Sequence, residues 1–233
     1  FGARHNFCPS SKNYRRLAKN LVEQLAKRYG DNPHIVAWHV NNEYGGNCYC
    51  EECQTEFQQW LKARYQTLDN LNHAWNMNVW SHTIHDWNEI VVPNELGDAW
   101  GLEGSETIVA GLSIDYLRFK STQMLDLFKM EKRIIEKYDP TTLVTTNFHS
   151  LPHKMIDYQQ WASSQDIISY DSYPAYDAPV YQPAFLYDLM RSLKHQPFML
   201  MESTPSQVNW QPDVPLKRPG RRPELDSKSF LAY

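Results

Sequence analysis

The 233-residue sequence predicts a parallel α/β fold, and within that class a (β/α)8 TIM barrel. Three observations carry that prediction. Helix-like and strand-like patterns alternate along most of the chain. Two of the strand-like runs end in a carboxylate: Glu43 after Trp38-His39-Val40-Asn41-Asn42, and Glu202 after Phe198-Met199-Leu200-Met201. No strand is followed by a glycine-rich phosphate loop, which argues against a nucleotide-binding doubly wound sheet. A barrel fits all three, because its site is assembled from residues at the C-terminal ends of several strands.

The elements follow in order. Ser10-Ser11 caps a helix reaching about residue 29, with Tyr14, Leu17, Ala18, Leu21 and Leu25 at helical spacing and Gly30 and Pro33 to stop it. Residues 34–40 are a largely apolar run after that turn signal, as expected for a parallel strand buried on both faces. A second helix covers 52–65, with Phe57, Trp60 and Leu61 on one face. Residues 75–111 carry Pro, Gly, His and Trp without clear periodicity, and an irregular stretch of that length points to a functional excursion. Residues 113–138 read as a long helix with Leu117, Met124, Leu125, Phe128 and Ile135 inward, ended by Asp139-Pro140. A β-branched strand at 143–147, a short helix at 158–162, a strand at 167–170, a helix at 185–194 and a strand at 198–201 complete the series.

Bulk properties exclude several function classes. Net charge is −4 and basic residues are not clustered, so there is no electrostatic footprint for nucleic acid or an anionic membrane. The one basic stretch, 217–222, is short and proline-containing, and reads as a solvated loop. Nothing approaches the roughly 18 consecutive apolar residues of a membrane span. No signal peptide is visible, but the chain opens on Phe1 and its true N-terminus is expected to lie upstream, so that absence says little; the expected location is cytoplasmic. Aromatic residues make up 13%, with eight Trp and fourteen Tyr, which suits a carbohydrate site and an aromatic core equally.

Two carboxylates contributed by separate strands are the minimum equipment for hydrolysing a glycosidic bond: one protonates the leaving oxygen, and the other attacks the anomeric carbon or activates water. Either glutamate alone reads as an ordinary surface or salt-bridged residue. The pair, with Asn42 directly before Glu43 and aromatic residues around both, points toward hydrolysis. The cysteines form a second cluster. Cys48, Cys50 and Cys53 lie within six residues, and Cys8 lies forty residues earlier, also after a strand end. Neighbouring barrel loops would bring them together as a closed tetrahedral Zn2+ site, which has no open position for water and is therefore structural. Disulfides between such close neighbours are strained. Four ordinary free cysteines remain the alternative.

Several segments together resemble the family 42 β-galactosidases of the retaining (β/α)8 glycosidases. They are Gly2-Ala3-Arg4-His5-Asn6-Phe7-Cys8-Pro9, Ile35-Val36-Ala37-Trp38-His39-Val40-Asn41-Asn42-Glu43-Tyr44-Gly45, the Cys-x-Cys-x-x-Cys run, Thr67-Leu68-Asp69-Asn70-Leu71-Asn72-His73-Ala74-Trp75, Asp157-Tyr158-Gln159-Gln160-Trp161-Ala162, Asp171-Ser172-Tyr173-Pro174, and Met201-Glu202-Ser203-Thr204-Pro205-Ser206-Gln207-Val208-Asn209-Trp210. The resemblance implies a β-galactoside substrate, Glu43 as acid/base at the end of strand 4, and Glu202 as nucleophile at the end of strand 7. It implies that Asn42 binds the hydroxyl next to the anomeric carbon, Arg4 binds the galactosyl ring, and Trp210 lines the sugar pocket. Trp80 resembles the residue such enzymes lend to a neighbouring subunit in a homotrimer. Cys8, Cys48, Cys50 and Cys53 match the family's zinc ligands, and no organic cofactor is implied.

On this numbering the barrel is incomplete, running from about the end of strand 3 through strand 7. Residues 1–220 are expected to be a partial catalytic domain and 221–233 a divergent tail. The alternatives are a non-catalytic remnant or sugar-binding partial barrel, and, more remotely, a zinc-ribbon interaction module, against which the acidic balance counts.

Overall fold

The computed structural model describes residues 4–93, 109–149, 156–174 and 178–203. They divide into two compact units, one holding the chain up to Gly30 and Gly45–Tyr138, the other holding Asp31–Tyr44, 139–149 and the described residues from 157 onward.

The first unit is helical. Helix α1, Lys12–Tyr29, is capped by Ser11, whose side chain accepts from Tyr14 N–H, and Lys27 and Arg28 complement the dipole in its last turn. It ends at Gly30, where a Cβ would lie 2.7 Å from the carbonyl oxygens of both Ala26 and Tyr138, so only glycine fits. The apolar stripe is not buried. Leu17, Leu21 and Leu25 are exposed, and α1 meets α4 (Ala110–Tyr138) instead through buried Ala26 and polar contacts such as Arg15 to Gln123 and Tyr138 Oη to Glu23.

Helix α2, Glu51–Tyr65, buries Phe57 and Leu61 as expected. Helix α3, Leu68–Trp75, was not foreseen, although Thr67 is a clear cap (its Oγ1 accepts from Asn70 N–H) and Leu68, Leu71 and Trp75 fall at helical spacing. These helices and α4 share one apolar cluster of Phe57, Leu61, Leu71, Trp75, Tyr116 and Phe119. The described part of the irregular excursion is anchored in that cluster by Met77, Ile84, Ile90 and Val92. In α4, Met124, Leu125, Phe128 and Ile135 are buried, but Leu117 is only half-buried. Tyr116 and Phe119 take the inward positions there. Buried Asp115 joins the three helices, accepting from Tyr65 Oη at 2.5 Å and Trp75 Nε1 at 2.9 Å and pairing with Arg118 at 2.9 Å.

The second unit carries the strands. β1 (Ala37–His39) pairs in parallel with β2 (Leu143–Thr145), and β3 (Asn147–His149), β4 (Ser169–Ser172) and β5 (Met199–Ser203) form a parallel sheet in sequence order. β2 and β3 are halves of one run interrupted at Thr146: the first half pairs with β1 and the second with β4. Parallel strands adjacent in sequence order, with helices α5 (Tyr158–Ala162) and α6 (Tyr181–Lys194) between them, are the arrangement of a (β/α)8 barrel. Among the described residues the barrel is not closed.

The first strand corrects the sequence expectation of a segment buried on both faces. β1 has three residues, none fully buried, and Val36 beside it is 83% exposed. Its physical reason is that β1 is hydrogen-bonded on one side only among the described residues. β4 starts two residues later than expected and α6 four residues earlier. Residues 204–220 and the tail 221–233 lie outside the described residues.

Candidate active site and thiol cluster

Glu43 is carried by a tight turn that leaves β1. Val40 N–H still bonds to Thr145 O at 2.9 Å, after which Asn41 (φ 59°) and Glu43 (φ 46°) both adopt left-handed backbone. Asparagine tolerates this region, but glutamate does not, and such a residue costs on the order of 1–3 kcal/mol unless its surroundings hold it. Asn147 at the start of β3 supplies the hold, accepting from Glu43 N–H at 2.7 Å. The turn leaves Glu43 only 8% exposed.

Asn147 also organises the other polar groups. Its Oδ1 lies 2.9 Å from His39 Nε2, and its Nδ2 faces Asn42 Oδ1 at 3.1 Å, Asp171 Oδ2, and Glu202 Oε1 at 3.4 Å. A register shift between Tyr170 and Asp171 places Glu202 of β5 opposite Asp171 of β4. Tyr173 Oη donates to Glu202 Oε2 at 2.7 Å. Carboxylate oxygens of Glu43, Asp171 and Glu202 therefore lie within 4.8 Å of one another.

Three carboxylates this close cannot all ionise cheaply. Burial, and then the charge of Glu202, pushes Asp171 up to about 8, against the lowering effect of the Asn147 amide. Its Oδ1 has no hydrogen-bond partner among the described residues. The Tyr173 phenol is raised mainly by its bond to Glu202.

The structure brings together Glu43, Glu202 and Asn42. Sequence reasoning gave no role to Asn147, Asp171 or Tyr173. The rule that singled out the glutamates, a polar side chain at the end of an apolar strand, also reaches Asn147 after residues 143–146 and Asp171 after residues 167–170.

In the first unit, the four thiols converge. Cys8 Sγ is 3.4 Å from Cys53 Sγ and 3.6 Å from Cys50 Sγ, and all four sulfurs lie within 4.8 Å of one another. None is in a disulfide. A tetrahedron of Zn–S bonds of about 2.3 Å has edges of roughly 3.8 Å, so the donor set and spacing fit a soft, four-coordinate ion. Without one, burial holds the Cys48 thiol at about 11, and a hydrogen bond to Cys53, followed by burial, raises that of Cys8. A divalent ion reverses that balance and deprotonates its ligands.

Helix α4 backs the cluster: Tyr116 Oη donates to Cys48 O, and Lys120 Nζ donates to Gly46 O at 2.6 Å and Asn47 Oδ1 at 2.7 Å. Burial pulls the Lys120 ammonium down to about 8, and Cys53, Cys48 and Cys8 push it back up.

Arg4 and Trp80 lie in the first unit and are exposed, Trp80 at 75% with φ 51°. Trp210 lies outside the described residues.

Comparison with known proteins adds a decisive observation. The sequence model of glycoside hydrolase family 42, described as β-galactosidase, matches residues 1–232. The chain belongs to that family. It is 76% identical over 232 residues to β-galactosidase LacZ of Lactobacillus acidophilus, covering 100% of this chain and 34% of the relative, and 49% identical over 221 residues to β-galactosidase BgaP of a Planococcus species, covering 94% and 32%. Among solved structures it is similar to the β-galactosidase from Bacillus circulans sp. alkalophilus, with a TM-score of 0.90 at 48% identity over 100% of this chain and 34% of the other. The chain thus spans about a third of the length of the relatives it matches. The family's fold is a (β/α)8 barrel, of which the parallel strands described here are part. No helix among the described residues is long and apolar enough to cross a membrane.

Proposed function

We propose that this chain carries the catalytic pair of a retaining β-galactosidase, which hydrolyses terminal β-D-galactosyl residues through a covalent galactosyl-enzyme. Glu43 donates a proton to the glycosidic oxygen while Glu202 attacks the anomeric carbon and the leaving group departs. Water then attacks the ester with Glu43 as base, releasing galactose with its configuration retained.

The observation that carries this reading is the approach of Glu43 and Glu202 oxygens to within 4.8 Å at the ends of parallel strands. An approach that close suits the paired carboxyls of retaining glycosidases, ~5–5.5 Å apart, better than the ~6.5–9.5 Å spacing that seats a water between them. Asn147 and Tyr173 orient Glu202, and Asn42 is held beside Glu43 to meet the adjacent sugar hydroxyl. Arg4 and Trp210 serve the galactosyl ring, and Trp80 serves a neighbouring subunit in a homotrimer, as the family resemblance suggests.

Cys8, Cys48, Cys50 and Cys53 hold a structural Zn2+, which supplies a cross-link between the segment after Asn6 and the start of α2. The chemistry itself rests on the carboxyls.

The test is Glu202→Ala in the polypeptide that carries this stretch. Turnover of a β-galactoside is lost, and added azide restores it with inversion, giving α-galactosyl azide, because the small anion attacks from the face the carboxylate has vacated. Rescue that yields only the β-azide would assign the missing group to the acid/base role and overturn the assignment.

A further inference from the structure

Lys120 is the only Lys or Arg buried among the described residues, at 2% exposure. A buried ammonium is costly unless an anion faces it. Among the described residues no carboxylate pairs with Lys120: its hydrogen bonds go to the neutral Gly46 carbonyl and the neutral Asn47 amide, and its ammonium lies 5.4 Å from the centroid of the Tyr49 ring. The groups within its electrostatic reach that turn anionic when a metal binds are the sulfurs of Cys53, Cys48 and Cys8. Four thiolates around a divalent cation leave a net charge of two minus in a partly buried site, and that excess is what a buried ammonium offsets.

We propose that Lys120 is the outer-sphere cation of the four-thiolate site, and that its charge, rather than its two hydrogen bonds, sets how tightly the site holds a divalent metal. The geometry supports this. Tyr116 and Lys120, one turn apart on α4, grip the main chain at Cys48 and Gly46, and Asn47 bridges to the same ammonium, so the charge is fixed against the loop that presents the ligands. The inference rests on the reading that the four cysteines bind metal.

The purified chain is loaded with Zn2+, and affinity is measured by competition with a chromogenic chelator for wild type, Lys120→Gln, Lys120→Met and Lys120→Arg. Lys120→Gln and Lys120→Met lower affinity by about 10–100-fold, the usual effect of removing an outer-sphere partner, and Lys120→Arg retains most of it. Melting of each protein with and without metal separates charge from packing. Loss of the charge lowers the Tm of the Zn2+-loaded form and leaves unchanged or raises that of the metal-free form, where the ammonium faces neutral thiols. Wild-type affinity in Lys120→Gln, or equal destabilisation of both forms, would assign Lys120 a purely structural role. Wild-type protein that takes up no stoichiometric Zn2+ would instead refute the metal site itself, a result visible before any variant is made.

Discussion

The side-chain amide of Asn147 accepts from Glu43 N–H and faces His39, Asn42, Asp171 and Glu202. One neutral group thus holds the backbone of Glu43 and faces the carboxyls of Glu202 and Asp171. Asp171 is the titrating member with a measurable consequence. Its folded value of about 8, against an ordinary value of 3.8, means that the native state binds more protons than the unfolded chain between those limits. Stability from this group is therefore fully present below pH ~4 and is lost as pH rises through about 8. Denaturant unfolding at pH 5 and pH 9 should show wild type losing more stability across that interval than Asp171→Asn. An equal loss in the two proteins would mean that Asp171 is ionised throughout. Glu43, Glu202 and Asn42 were legible in the sequence because each sits at or beside the end of an apolar run. Asn147 lies at such an end too, but its role was not legible, because it depends on a left-handed turn 104 residues away in sequence, at Glu43.

At the scale of elements, the helical unit is held by α2, α3 and α4 around Trp75, with Asp115 accepting from side chains of all three. Asp115→Ala leaves the Tyr65 hydroxyl and Trp75 indole without their acceptor, at roughly 1–3 kcal/mol for each donor left buried and unpaired. Thermal or urea unfolding should register that loss, and a change below about 0.5 kcal/mol, the range of ordinary surface substitutions, would show that water replaces the carboxylate. Helix α1 and the long helix α4 were readable from caps, periodicity and Asp139-Pro140. Strand edges were less so, since β1 and β4 are set by pairing partners that local sequence does not reveal. The stripe of Leu17, Leu21 and Leu25 shows the limit of periodicity: helical spacing identified an apolar face but not whether the described chain covers it.

For the molecule as a whole, that exposed stripe makes a second statement. Apolar side chains aligned on one helix face favour association. Light scattering of the isolated chain should therefore fall in Leu21→Glu, with little change in unfolding free energy because Leu21 is 62% exposed. Scattering unaltered by the substitution would place any association elsewhere.

The proposed reaction requires that Glu202 form the covalent bond to galactose. It is tested most directly by treating the polypeptide that carries this stretch with a 2-deoxy-2-fluoro-β-galactoside bearing a good leaving group, and locating the adduct by peptide mass spectrometry. Trapping slows hydrolysis of the glycosyl-enzyme, so the expected result is one fluorogalactosyl group on the peptide containing Glu202. An adduct on Glu43 or Asp171, or steady turnover with no adduct at all, would contradict the assignment.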